Sequence, residues 1–154
     1  MPVPMLALLA GVLVGLRSLT PPAAAAWAAH LGWLRLPRLL SWIGTTPAVA
    51  IVSLLALGEL AADKLPGTPN RTGAAGLSAR LVLGALTGAC VAAAGAHGPA
   101  GGAILGAVGG VAGYFGGYQA RTRLVRALGT PDFVVAVLED VVAIAGSIWI
   151  VSYV

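Results

Sequence analysis

The sequence predicts an all-α bundle of membrane-crossing helices, on three observations. Its 154 residues are 58% hydrophobic and 9% charged, with a mean hydropathy of +0.93, where a soluble domain carries about 25% charged residues. The apolar residues fall into runs near the roughly 20 that cross a hydrocarbon core. Between the runs stand prolines, glycines and the few cations, which are helix-end signals. A single polytopic domain over residues 1–154, with about five membrane segments, is the expected architecture.

The first segment, residues 4–33, is interrupted at "GLRSLTPP", where Arg17 through Pro22 break the apolar run. Thr20 is placed to cap a helix with Pro21 and Pro22 in its first turn. The segment therefore either spans with a kink or turns back as a hairpin. It lacks the basic start of a signal peptide and is read as a retained membrane segment. Residues 34–44 form an interfacial connector, with Trp33 and Trp42 around Arg35 and Arg38, rings and cations suited to a headgroup layer. The second segment, 46–65, opens at Thr46-Pro47 and stops before Pro66.

The third segment, 78–96, ends at the turn around His97 and Pro99. The fourth, 101–120, carries Gly102, Gly106 and Gly110 in one row and Gly109, Gly113 and Gly117 one face over. Small residues at this spacing let helix backbones approach closely in lipid, so these rows are expected to pack, within the chain or across a homodimer. The fifth, 131–153, follows Thr130-Pro131 and holds Asp132 in its first turn, where the helix dipole favours an acid. Trp149 and Tyr153 mark its interfacial end.

Orientation follows from the cations. Lys64, Arg71 and Arg80 lie around loop 64–78, and Arg121, Arg123 and Arg126 lie in loop 121–130. Only Arg35 and Arg38 stand on the other side, which puts the two richer loops in the cytoplasm. The carboxyl terminus is then outside, and the amino terminus is inside only if the first segment spans once.

In that frame Glu59 and Glu139 sit at one level on antiparallel helices, each about 10–12 Å from the cytoplasmic helix end. Asp63 shares the face of Glu59 one turn nearer the cytoplasm, and Asp140 neighbours Glu139. A charge facing lipid costs roughly 2.5 kcal/mol or more, so these acids should face the bundle interior or an aqueous cavity. Arg17 is expected to pair with a carboxylate, to satisfy carbonyls freed by the break, or to meet an anionic ligand. Arg80 and Arg121 are further partners for the acids. A cation, a Thr-Pro helix start and an acid-bearing segment recur from Arg17 to Asp63 and from Arg121 to Asp140, an arrangement open to an inverted repeat.

Other classes have little support. The net charge of +4 is dispersed, so nucleic-acid binding is not expected. Cys90, the only cysteine, reads as a small buried hydrophobe and can form no disulfide within the chain. His30 and His97 lack carboxylates at ligand spacing, no serine sits in a nucleophile elbow, and the glycine clusters follow no strand. Neither a metal, a cofactor nor an enzymatic activity is expected.

The segments "GLRSLTPPAAAAWA", "ALGELAADKLPGTPNRT", "LSARLVLGALTGA", "GAVGGVAGYFGGYQAR" and "VLEDVVAIAG" together resemble a bacterial family of small integral membrane proteins catalogued only as a domain of unknown function. The resemblance implies a multi-span bundle of about this length and no established activity. Its motif positions are Arg17, Glu59, Asp63, Lys64, Pro66, Arg71, Arg80, Arg121, Glu139 and Asp140. The leading expectation is a small transporter or channel for a cation, a proton or a small solute. It would be a homodimer through the glycine-rich helix, in contact with membrane lipid, with the acids lining a cytoplasm-facing site. The rival is a non-transporting membrane protein that binds lipid or a partner and uses the charges for folding. A lipid-headgroup enzyme is a third reading, with acids but no evident nucleophile.

Overall fold

A computed structural model describes residues 1–62, 73–129 and 131–154. The described residues are helical with no strand: α1 (Val3–Leu16), α2 (Thr20–His30), α3 (Thr46–Ala62), α4 (Ala74–Ala94), α5 (Pro99–Leu128) and α6 (Asp132–Tyr153), with a 3-10 turn at Ser41–Gly44. Three of them, α4, α5 and α6, are long and apolar enough to cross a membrane, and α1 and α3 are shorter apolar helices. The protein is therefore a membrane-associated helical bundle.

The first segment turns back. Leu6 packs with Ile150, Leu13 lies against Gly146, and Arg17 reaches Ala136, so α1 runs antiparallel to α6. After the break, Ala25 and Ala28 of α2 pack with Val151, at the end where α1 began. By helical rise α1 and α2 are about 21 and 17 Å long, each short of the roughly 30 Å core. Together they form a hairpin that enters and leaves at one end of the bundle. That end also holds both termini, where Met1 and Tyr153 are hydrogen-bonded, and the exposed rings of Trp33, Trp42 and Trp149.

Helix α3 then runs away from this end. Val49 clusters with Ala26 and Cys90, the Trp27 indole donates to Ser53 at 2.9 Å, and Glu59 arrives at the break. The connector before it is more than interfacial, because Leu34, Leu40 and Ile43 are buried in the clusters beneath α2.

Both glycine rows of α5 are used inside the chain. A Cβ on Gly102, Gly106 or Gly110 would strike α4 backbone or side-chain atoms at Gly88, Ala92, Gly84 or Arg80. One on Gly109 or Gly113 would strike α1 backbone at Leu8, Gly11 or Val12, and one on Gly117 would meet the Leu16 side chain. The order of these contacts makes α5 parallel to α1 and antiparallel to α4. The dimer expected through these rows finds them occupied, because lipid leaves close backbone packing as the main source of cohesion and α1 and α4 already supply it.

Several expected boundaries move. Helix α4 starts at Ala74, ahead of the expected start at 78, so Arg80 lies in its second turn. The supposed loop 121–130 is helical to Leu128, and α5 ends at Gly129, whose φ of 59° is the left-handed cap that glycine adopts freely. Strong helix formers such as Arg121, Arg123 and Leu124 simply continue the helix past the membrane-like stretch. Helices α3 and α6 do run in opposite directions, as an inverted repeat requires. The element content differs, however: Arg17 precedes a half-length helix, whereas Arg121 sits inside α5.

The packing makes a sharp distinction among glycines. Gly106→Val should destabilise the bundle by about 2–3 kcal/mol or prevent folding, read by thermal unfolding in detergent. Gly101→Ala, where a Cβ meets nothing within 4 Å, should change stability by less than about 0.5 kcal/mol.

Candidate functional site at the hairpin break

A helix that stops inside a bundle leaves carbonyls at one end and amides at the other without partners. At this break ions from two other helices, Arg80 of α4 and Glu59 of α3, supply them. Arg17 is the C-cap of α1, in extended conformation, with its N–H bonded to the Leu13 carbonyl. The Gly15 carbonyl accepts from Arg80 Nε at 2.9 Å. Arg80 also donates to Gly76 at 3.1 Å and lies 5.0 Å over the Tyr114 ring. A cation thus meets the negative end of α1.

The start of α2 is met by an acid. Pro21 and Pro22 have no N–H, which removes two of the donors that a helix start would leave unpaired. Two neighbouring amides go to Glu59: Ser18 N–H to Oε1 at 2.9 Å and Leu19 N–H to Oε2 at 2.9 Å. The Ser18 hydroxyl donates to Oε1 at 2.6 Å. Leu19 is the N-cap and Thr20 the first helical residue, with no side-chain cap. The cap expected from Thr20 therefore comes from Glu59, forty residues away, because a carboxylate offers both charge and two acceptor atoms to the positive helix end.

The Arg17 side chain is 1% exposed and requires anionic partners. Its Nε lies 2.6 Å from Asp140 Oδ1, its Nη2 donates to the Ala136 carbonyl at 3.2 Å, and Glu139 stands 4.0 Å away. Glu139 also accepts from Arg121 Nη1 at 2.9 Å. Arg121 in turn grips Asp132 through Nε, at 2.7 Å, and through Nη2. A cleft of about 30 Å³ reaches this network, lined by Gly15, Arg80, Tyr114, Tyr118, Arg121 and Glu139. It has room for one or two waters.

The expected residues thus converge. Arg17, Glu59, Arg80, Arg121, Glu139 and Asp140 all meet at or beside the break, whereas Asp63 and Lys64 lie outside the described residues. Glu59 and Glu139 approach the break from different helices, and no hydrogen bond joins them. Among the described residues Arg17 is the most deeply buried charged residue. Sequence reasoning missed Ser18 and Leu19 as ligands of Glu59 and Asp132 as a ligand of Arg121. The Pro-Pro pair was the usable signal, since it marks a helix start that cannot use its own amides. Among the described residues no cluster of His, Cys, Asp and Glu could hold a metal ion.

The Arg17–Asp140 pair should be costly to break and cheap to delete whole. Arg17→Met or Asp140→Leu alone should each cost about 3–5 kcal/mol by leaving a buried charge. The double variant should cost well under the sum, read as a double-mutant cycle on detergent unfolding.

No curated protein and no solved structure gives a significant match to the chain. A family profile described as Domain of unknown function (DUF4126) matches residues 5–153, nearly the whole chain. The hairpin from residue 5 on, its charged break and the three long helices fall within that match. The chain belongs to the DUF4126 family of domains of unknown function.

Proposed function

We propose that the protein is a small proton-linked transporter of the bacterial cytoplasmic membrane, with the hairpin break as its site. The observation that carries this reading is the Glu59 carboxylate on the Ser18 and Leu19 amides at the start of a half-length helix. Discontinuous helices whose ends meet ions inside a bundle are how many small transporters bind what they carry. Non-helical backbone at membrane depth is tolerated only where protein or a cavity satisfies it.

Glu59 differs from the other acids of the site. Asp132, Glu139 and Asp140 are held by guanidinium groups, whereas the described partners of Glu59 are two amides and a hydroxyl. A proton on Glu59 removes the charge that the helix end attracts and weakens its acceptor atoms, so the end of α3 can part from the hairpin. The arginine-held acids then serve as the fixed frame. Arg123 and Arg126, both exposed, support placing the far end of the bundle in the cytoplasm. The exposed Ile51, Leu54, Leu55, Val141 and Ile148 are suited to lipid contact.

One observation favours a second reading, in which the charges serve folding alone and the protein binds lipid or a partner. The cleft that reaches the network is small, about 30 Å³.

Reconstitution separates the two. Wild-type protein in liposomes with a pH-sensitive dye should carry protons under an imposed gradient, and Glu59→Gln should lower the rate about 10-fold or more. A wild type that carries neither protons nor any ion of a broad panel, with Glu59→Gln affecting only unfolding, would overturn transport and leave the folding role.

A further inference from the structure

The connector between α2 and α3 has two unlike faces. Leu34, Leu40 and Ile43 are at most 8% exposed and pack in the clusters beneath α2, and His30 Nδ1 donates to the Gly44 carbonyl at 2.9 Å. These contacts strap residues 34–44 across the end of the bundle that holds both termini. The other face carries Leu31, Trp33, Leu39 and Trp42, each more than half exposed, with Arg35 and Arg38 exposed among them. The Pro37 carbonyl accepts from the Leu40 and Ser41 amides at 2.8 and 3.0 Å, a turn that sets Arg38 and Leu39 at its tip. A fixed backbone thus presents apolar side chains outward, as a membrane-binding surface does.

Charge at this end is one-sided. Of the five acidic residues of the chain, Glu59, Glu139 and Asp140 stand at or beside the break, Asp132 begins α6 at the far end, and Asp63 lies outside the described residues. Arg17, Arg80 and Arg121 are committed to carbonyls or carboxylates of the bundle. Arg35 and Arg38, by contrast, have no acidic side chain at their end among the described residues, so their charges are open to an anion from outside the chain.

We propose that the connector is a docking surface for anionic phospholipid. Arg35 and Arg38 take the phosphate of a headgroup that carries no ammonium of its own, while Leu31, Trp33, Leu39 and Trp42 enter the boundary between headgroups and acyl chains around it. The guanidinium fork matches phosphate oxygens with two parallel hydrogen bonds. A leaflet supplies those phosphates at high density, so an open surface with two cations suffices. Helix α3 packs chiefly on α2 and on the Ser41–Gly44 turn, and a lipid held here pins the corner from which α3 leaves. The inference is independent of what the break carries.

Hydrogen exchange of the peptide spanning residues 31–45, in the full chain in nanodiscs, tests this surface. In phosphatidylcholine discs with about 30% phosphatidylglycerol, exchange should be roughly 5-fold or more slower than in phosphatidylcholine alone. The double variant Arg35→Gln/Arg38→Gln should lose that difference and keep the wild-type unfolding midpoint, because both side chains are exposed. Arg35→Lys/Arg38→Lys should keep most of the difference, and Arg123→Gln/Arg126→Gln, at the other end of the bundle, should keep all of it. No slowing by phosphatidylglycerol in wild type, or the same slowing in Arg35→Gln/Arg38→Gln, would overturn the proposal. So would equal slowing by dissolved glycerol phosphate, the mark of a free-phosphate site, or protection that appears only with two copies per disc, the mark of a second chain on this face.

Discussion

The structure depends on how a buried helix break is satisfied. Between Leu16 and Thr20 the chain reverses inside the bundle, and the buried peptide groups freed there need partners. Arg80 on the Gly15 carbonyl and Glu59 on the Ser18 and Leu19 amides answer the two half-helix dipoles with opposite charges. The remaining charges follow in sequence. Arg17, carried inward at the cap, needs Asp140 and Glu139; Glu139 shares Arg121; Arg121 holds Asp132 at the start of α6. The glycine rows belong to the same logic, because Arg80 reaches α1 only if α4, α5 and α1 lie nearly backbone to backbone.

This arrangement divides the ions by what holds them. Guanidinium–carboxylate pairs in a low-dielectric interior are expensive to separate, so Arg17 with Asp140 and Arg121 with Glu139 form a fixed frame, whereas Asp132 is 65% exposed. Glu59 is held by amides and a hydroxyl, and one proton cancels the charge that keeps it there. The frame therefore positions the break, and Glu59 is the member suited to move. That asymmetry, more than the number of acids, is what the proposed transport reading rests on.

Much of this was legible in the sequence. Hydropathy and proline-glycine punctuation located the helices, "GLRSLTPP" located the break, and the scarcity of charge singled out Arg17, Glu59, Arg80, Arg121, Glu139 and Asp140, because a rare charge in an apolar chain must be accommodated somewhere specific. The direction taken after the break was not legible, since a kinked span and a hairpin present the same residues and differ only in distant packing such as Ala25 and Ala28 on Val151. Nor was the identity of the cap. Local rules nominate Thr20 as the side chain nearest the helix start, but a carboxylate forty residues away is the stronger acceptor and tertiary packing brings it in. The end of α5 was misplaced because arginines read as a loop signal in a membrane chain, while their helix propensity carries the helix to Leu128.

If the Glu59 carboxylate holds the start of α2 closed, its loss should loosen the Ser18 and Leu19 amides first. Hydrogen exchange of the peptide spanning Ser18 and Leu19, compared between wild type and Glu59→Gln in detergent or nanodiscs, tests it most directly. Faster exchange of those two amides is expected in the variant, with α1, α4 and α6 exchanging at wild-type rates. Unchanged protection at Ser18 and Leu19, or loosening spread evenly over the whole bundle, would contradict it.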